Sequence, residues 1–192
     1  MNQEPWFLPR HVGSIEVICG GMFSGKTEEL LRRARRALIA GQKLILVKPV
    51  QDNRYSEEAV VSHDKNRMES HAVSKASQIP LLARDKEVVC IDEAQFFDLD
   101  LVDVVNDLAN SGKRVILAGL DMDYEGKPFE PVPQLLAIAE YITKLHAICS
   151  QSGLMANFSQ RVTESTERIV IGESEVYEPR ARHCFQPKPK SS

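Results

Sequence analysis

Gly20-Gly21-Met22-Phe23-Ser24-Gly25-Lys26-Thr27 fits the pattern G-x-x-x-x-G-K-[ST] without a gap. The apolar run Ile15–Cys19 precedes it and reads as a strand. The helix-forming run Glu28–Ala40 follows it. That strand–loop–helix context separates a phosphate loop from a chance string. Glycine lets the backbone curl until successive N–H groups point inward, which makes a concave anion site at the positive end of a helix. Lys26 is then placed to reach the β- and γ-phosphates of a nucleoside triphosphate, and the Thr27 hydroxyl to ligate Mg²⁺.

A second signal lies at Glu87-Val88-Val89-Cys90-Ile91-Asp92-Glu93, where four apolar residues run into two acids. This is the pattern of a buried parallel strand delivering carboxylates to its C-terminal edge. Asp92 is expected to hold Mg²⁺ opposite Thr27, directly or through water, with Glu93 beside the γ-phosphate.

The rest of the chain alternates strands and helices around these two blocks. Lys43–Val47, Arg114–Ala118 and Tyr141–Cys149 read as further strands of the main sheet, and Ser70–Val73 as a short one. Ile79–Asp85, Asp100–Ala109 and Gln134–Glu140 read as helices. Alternation of this kind predicts an α/β fold with a mainly parallel sheet. In the helix after the loop, Leu30, Leu31, Ala34, Ala37 and Leu38 form the apolar side. Arg32, Arg33, Arg35 and Arg36 are expected on a solvated face. Asp52-Asn53-Arg54-Tyr55 and Ser62-His63-Asp64 fall where strands meet their loops. Taken alone, they read as surface decoration before ligands of the site.

Composition narrows the class. With 192 residues, 43% hydrophobic and 27% charged, there is material for one domain and a small appendage. A formal charge of −3 gives no global basic field for nucleic acid or an anionic membrane. No apolar run reaches the roughly 18 residues of a membrane span. Residues 1–13 read as an irregular leader without the features of a secretory signal, and Gln186–Ser192 as a disordered tail. Four scattered cysteines do not make a disulfide framework, and the expected location is the cytoplasm.

With these blocks placed, the chain resembles the cytosolic (type II) thymidine kinases over Ser14 to Phe185. The Met22-Phe23-Ser24 filling of the phosphate loop carries much of the likeness. Asp52–Tyr55, Ser62–Asp64, Asp92-Glu93-Ala94-Gln95-Phe96-Phe97, Gly119-Leu120-Asp121, Phe158-Ser159-Gln160-Arg161 and Gly172…Tyr177 also match, in order. The resemblance implies a phosphate-loop domain over residues 14–148, with helices on both faces of its sheet, and a small lasso subdomain over 149–185. It further implies transfer of the γ-phosphoryl group of ATP to the 5′-hydroxyl of thymidine, with Glu93 as general base. Gly20 to Thr27, Asp52, Asn53, Arg54, Asp92, Glu93, Ala94 and Gln95 would surround the donor. Arg168, Ile169, Val170, Ile171, Gly172 and Tyr177 would close over the nucleoside, and Met22, Leu120 and Tyr124 would line its pocket. Tyr124 stands where the family usually has Phe. A homotetramer or homodimer is implied too, with neither nucleic acid nor membrane as a partner.

One departure concerns zinc. The family commonly anchors the lasso with a structural zinc on two Cys-x-x-Cys-like pairs. Here they read Cys149-Ser150-Gln151-Ser152 and Ala181-Arg182-His183-Cys184. Two thiols cannot close a tetrahedral site. Zinc lost in favour of packing is the simplest expectation, with a rearranged set using His146 or His183, or a Cys149–Cys184 disulfide, as the alternatives. Two other functions fit the loop and the acidic pair: a different phosphate-loop ATPase in which Glu93 activates water, and a non-catalytic nucleotide-binding module.

Overall fold

The computed structural model describes residues 12–50, 59–61, 67–163 and 176–187. In chain order the elements are β1 (Ser14–Gly20), α1 (Lys26–Ile39), β2 (Leu44–Pro49), β3 (Ala59–Val61), β4 (Arg67–Glu69), β5 (His71–Val73), α2 (Ile79–Leu82), β6 (Val88–Ile91), α3 (Asp100–Asn110), β7 (Arg114–Gly119), α4 (Val132–Ile138), β8 (Tyr141–Leu145), β9 (Ala147–Ile148), β10 (Met155–Ala156), β11 (Phe158–Arg161) and β12 (Tyr177–Arg180). Six strands form one sheet in the order β5-β2-β6-β7-β1-β8, and every pairing in it is parallel. The C-terminal ends of β1, β6, β7 and β8 therefore meet along one edge, the side on which open α/β sheets bind ligands.

Both faces of the sheet are covered, and strand alternation divides the core accordingly. Ile15, Val17, Ile45, Val47, Val89, Ile91, Val115 and Leu117 point to the face packed by α3 and α4. Ile18, Leu46, Val88, Cys90, Ile116 and Ala118 point to the other, which α1 covers with Leu30, Leu31, Ala34 and Ala37. Burial pushes the Cys19 thiol up to about 11 and the Cys90 thiol to about 12, so both stay protonated core residues.

Two readings of α1 are corrected. Arg33 is not on a solvated face; it is 2% exposed. Its Nη1 donates to Glu16 Oε2 at 2.8 Å, its Nη2 to Thr143 Oγ1 at 2.9 Å and its Nε to Glu29 Oε1 at 2.8 Å. Glu16 is an acid inside the apolar first strand and would otherwise be buried bare; Arg114 holds its second oxygen. Leu38, read as core, is 48% exposed, since the helix stripe turns outward at its last turn. Boundaries also move, among them two near the C-terminal end of the sheet. The strand expected over Tyr141–Cys149 breaks after Leu145, and β9 leaves the sheet to pair with β10. Helix α4 starts at Val132, ahead of the expected Gln134, because Pro133 is tolerated in a first turn that needs no N–H there.

Candidate functional site

The phosphate loop begins where β1 runs out beside β8. Gly20 pairs with Leu145 at φ 146, and a Cβ at Gly20 would stand 2.3 Å from the Leu145 carbonyl oxygen, so no larger residue fits. Gly25 is left-handed at φ 82 and caps α1 from outside, leaving the first amides of the helix directed into the loop. Inside the loop, Ser24 Oγ and Lys26 Nζ both donate to the Gly21 carbonyl at 2.8 Å. Desolvation holds the Lys26 ammonium below its ordinary value, against the opposing pull of Glu93, Asp92 and Asp121. Phe23 takes a left-handed backbone at φ 63 and is exposed.

Across from the loop, β6 ends in the acidic pair. Asp92 is buried. Its Oδ2 accepts from the Thr27 hydroxyl at 3.1 Å and its Oδ1 from the Glu93 amide at 3.0 Å. Burial, then the charge of Glu93, pushes the Asp92 carboxyl up to about 7. Glu93 also holds a left-handed backbone, at φ 53, a conformation that costs energy in a non-glycine residue and collects at functional sites. Ala94 and Gln95 follow in a short 3-10 turn and are both buried. Gln95 Nε2 donates to Glu93 Oε2, and Gln95 Oε1 accepts from the Leu120 amide at 2.9 Å. One amide side chain thus ties the carboxylate after β6 to the loop after β7.

That loop carries Leu120 and Tyr124. Asp121 between them is paired with Lys144 Nζ at 2.6 Å. Behind it lies a unit absent from the sequence reading, the antiparallel pair β11–β12, with Arg161 opposite Tyr177. Ser159 Oγ of β11 accepts from the Met22 amide at 2.9 Å, so the strand rests on the phosphate loop. Met22, Leu120, Tyr124 and Tyr177 are thereby drawn to the same sheet edge as Lys26, Thr27, Asp92 and Glu93. Asp52, Asn53, Arg54, His63 and Asp64 lie outside the described residues, as do Arg168, Ile169, Val170, Ile171 and Gly172.

The sequence model of the thymidine kinase family matches residues 13–185. The chain belongs to the thymidine kinase family. It is 60% identical over 190 residues to a thymidine kinase of Rhodothermus sp. (strain ITI 518), covering 97% of this chain and 89% of that one. It is 52% identical over 177 residues to a thymidine kinase of Bacteroides fragilis (strain YCH46), covering 92% and 89%. Among solved structures, domain III of the Thermotoga maritima replication initiation protein DnaA overlaps with a TM-score of 0.42 at 14% identity, over 69% of this chain and 55% of that one. That likeness is too slight to add to the assignment.

In this thymidine kinase family member, Cys149 and Cys184 are brought together although 35 positions apart in the chain. Cys149 is buried in a small cluster with Ala147, Ala156 and Ala181, and Cys184 packs against it. His146 and His183 are both exposed. Among the described residues, no three of His, Cys, Asp and Glu come together as metal ligands. Burial raises the Cys149 thiol, but the Ser152 hydroxyl and the amides of Ala181, Ser152 and Gln151 outweigh it and bring the group to about 6. Both thiols are free. Beside them Arg180 bridges the two segments: Nη1 donates to Ser150 Oγ at 2.9 Å and Nη2 pairs with Glu178 Oε2 at 2.7 Å.

Ser159, Arg161 and the bridging role of Gln95 are what residue-by-residue reading missed. The signal available was the block Phe158-Ser159-Gln160-Arg161, which entered only as part of the family likeness. Its polar residues show no strand alternation strong enough to betray β11.

Proposed function

We propose that this protein transfers the γ-phosphoryl group of ATP to the 5′-hydroxyl of thymidine, giving dTMP and ADP. The observation that carries the reading is the meeting of Lys26, Thr27, Asp92 and Glu93 at one sheet edge, with Gln95 linking Glu93 to the loop of Leu120 and Tyr124. The residues Gly20 to Thr27 cradle the donor phosphates. Glu93 takes the proton from the 5′-oxygen as that oxygen bonds to the γ-phosphorus and the bond to ADP breaks. Met22, Leu120, Tyr124 and Tyr177 line the nucleoside pocket, and the family likeness assigns Arg168 to Gly172 to the nucleoside as well. The same likeness assigns Asp52 to Arg54 to the donor.

The Thr27 hydroxyl and the Asp92 carboxylate fit Mg²⁺: both are hard oxygen donors, already converged at 3.1 Å. When bound, the ion offsets negative charge on the transferred phosphate. Zinc does not fit. Ser152 and Ala181 occupy positions that would have to be thiolates, and the Ser152 hydroxyl instead favours the ionised form of Cys149. We therefore infer that packing and the Arg180 contacts hold the lasso base over residues 149–185. No helix among the described residues is long and apolar enough to cross a membrane. A cytoplasmic location and a homodimer or homotetramer accompany the reading, the latter open to light scattering.

The test is ADP release with a panel of nucleoside acceptors. Release that requires an acceptor and is greatest with thymidine supports the kinase. Equal release without an acceptor supports a hydrolytic ATPase, and none under any condition supports a binding module.

A further inference from the structure

Arg161 ends β11 with 5% of its surface exposed. Its guanidinium carbon stands 3.6 Å from the centroid of the Tyr124 ring and 5.3 Å from that of Tyr177. Its Nη2 donates to the Tyr177 hydroxyl at 2.8 Å. One buried cation therefore touches both aromatic walls assigned above to the nucleoside pocket. The two rings come from separate parts of the chain, Tyr124 from the loop after β7 and Tyr177 from the start of β12. Nothing in the backbone hydrogen-bond ladder of the main sheet fixes the distance between them.

The chemistry suits the task. A guanidinium is planar and weakly hydrated, so it can lie over one ring while an N–H at its edge reaches a hydroxyl on another. Attraction between a cation and an aromatic face grows when water is kept away, as it is here. A lysine ammonium is a compact charge and cannot serve both rings in the same way. Two residues earlier on the same strand face, Ser159 holds the Met22 amide of the phosphate loop. Successive same-face residues of β11 thus reach the phosphate loop and the two aromatic rings, Ser159 the first and Arg161 the second.

We propose that Arg161 is a positioning residue that determines nucleoside specificity: its guanidinium, packed against both rings, fixes where Tyr124 and Tyr177 stand, and so the aromatic wall that meets the nucleoside. This rests on the kinase reading above.

The experiment compares Arg161→Met, Arg161→Lys and Tyr177→Phe with the unaltered enzyme. Thymidine is varied at saturating ATP, and ATP at saturating thymidine, with thermal unfolding measured in parallel. For Arg161→Met the KM for thymidine rises about ten-fold or more, kcat falls by less than about three-fold, and the KM for ATP stays within about two-fold. Arg161→Lys recovers part of that loss. Tyr177→Phe, which removes only the accepting hydroxyl, raises the same KM by less and is not additive with Arg161→Met. Should Arg161→Met fail to fold, the other two variants carry the test. An unchanged thymidine KM in an active Arg161→Met enzyme overturns the proposal alone. So does a parallel rise in both KM values that lysine does not reverse, since that marks a structural role. An unaltered enzyme with no thymidine-dependent ADP release overturns the kinase reading and this proposal with it.

Discussion

The hydroxyl of Thr27 donates to Asp92 at 3.1 Å, although 65 residues separate them in the chain. The contact joins the first turn of α1 to the end of β6, the point to which the proposed function assigns a divalent cation. If Asp92 ligates the cation, Asp92→Asn keeps the fold and lowers turnover by about 10²-fold or more, because a ligand charge that stabilises the transition state is gone. Titrating Mg²⁺ into the variant checks this. Half-maximal activity at the same Mg²⁺ concentration as the unaltered enzyme would remove Asp92 from the role.

Glu93 differs from Asp92 in being half-buried, strained in its backbone and anchored by Gln95. Glu93→Gln is expected to bind ATP normally and to lose about 10²–10⁴-fold in kcat, the usual range for a general base. Equilibrium binding of a fluorescent ATP analogue, alongside steady-state rates, separates the two effects. Normal turnover in this variant leaves the base elsewhere.

The ion cluster beneath α1 contributes to stability and stands apart from the chemistry. Arg33→Met leaves Glu16 with Arg114 as partner and strips Thr143 of its donor. The expected loss is about 3 kcal/mol. In a chain of this size that is a fall of roughly 6–12 °C in Tm. The paired replacement Glu16→Leu with Arg33→Leu should cost less than Arg33→Met alone, since no buried carboxylate with half its partners remains. Calorimetry in which the double variant is the less stable would refute that account.

Zinc supplies a direct test of the lasso base. Purified protein should hold well under one equivalent of zinc, and a strong chelator should leave its Tm unchanged. Arg180→Met, by contrast, should weaken the base, because Ser150 and Glu178 both lose the same partner. Stoichiometric zinc by elemental analysis would show that a site forms despite Ser152 and Ala181.

Much of this was legible in the order of residues. The glycines and Lys26-Thr27 of the loop, and the apolar run into Asp92-Glu93, are local patterns whose geometry follows from a few neighbouring dihedrals. The alternation of strand and helix likewise announces a parallel sheet. Arg33 was misplaced because helical period marks the side on which a residue lies but not a buried acid on the strand beneath it, and Glu16 reversed the usual cost of burying a guanidinium. The β11–β12 pair escaped notice because its strands are short, polar and separated by residues 162–176, so local sequence carries little trace of the pairing.

By itself, then, the sequence determined the phosphate loop, the paired acids, the α/β class and, through many short blocks in order, the family. Only the tertiary structure decided which distant side chains share a carboxylate, an amide or a cation: Thr27 with Asp92, Gln95 between Glu93 and Leu120, and Arg161 between Tyr124 and Tyr177. The physical reason is range. A loop or strand is chosen by interactions within a few residues, whereas these contacts exist only once the sheet has brought separate strand ends to one edge.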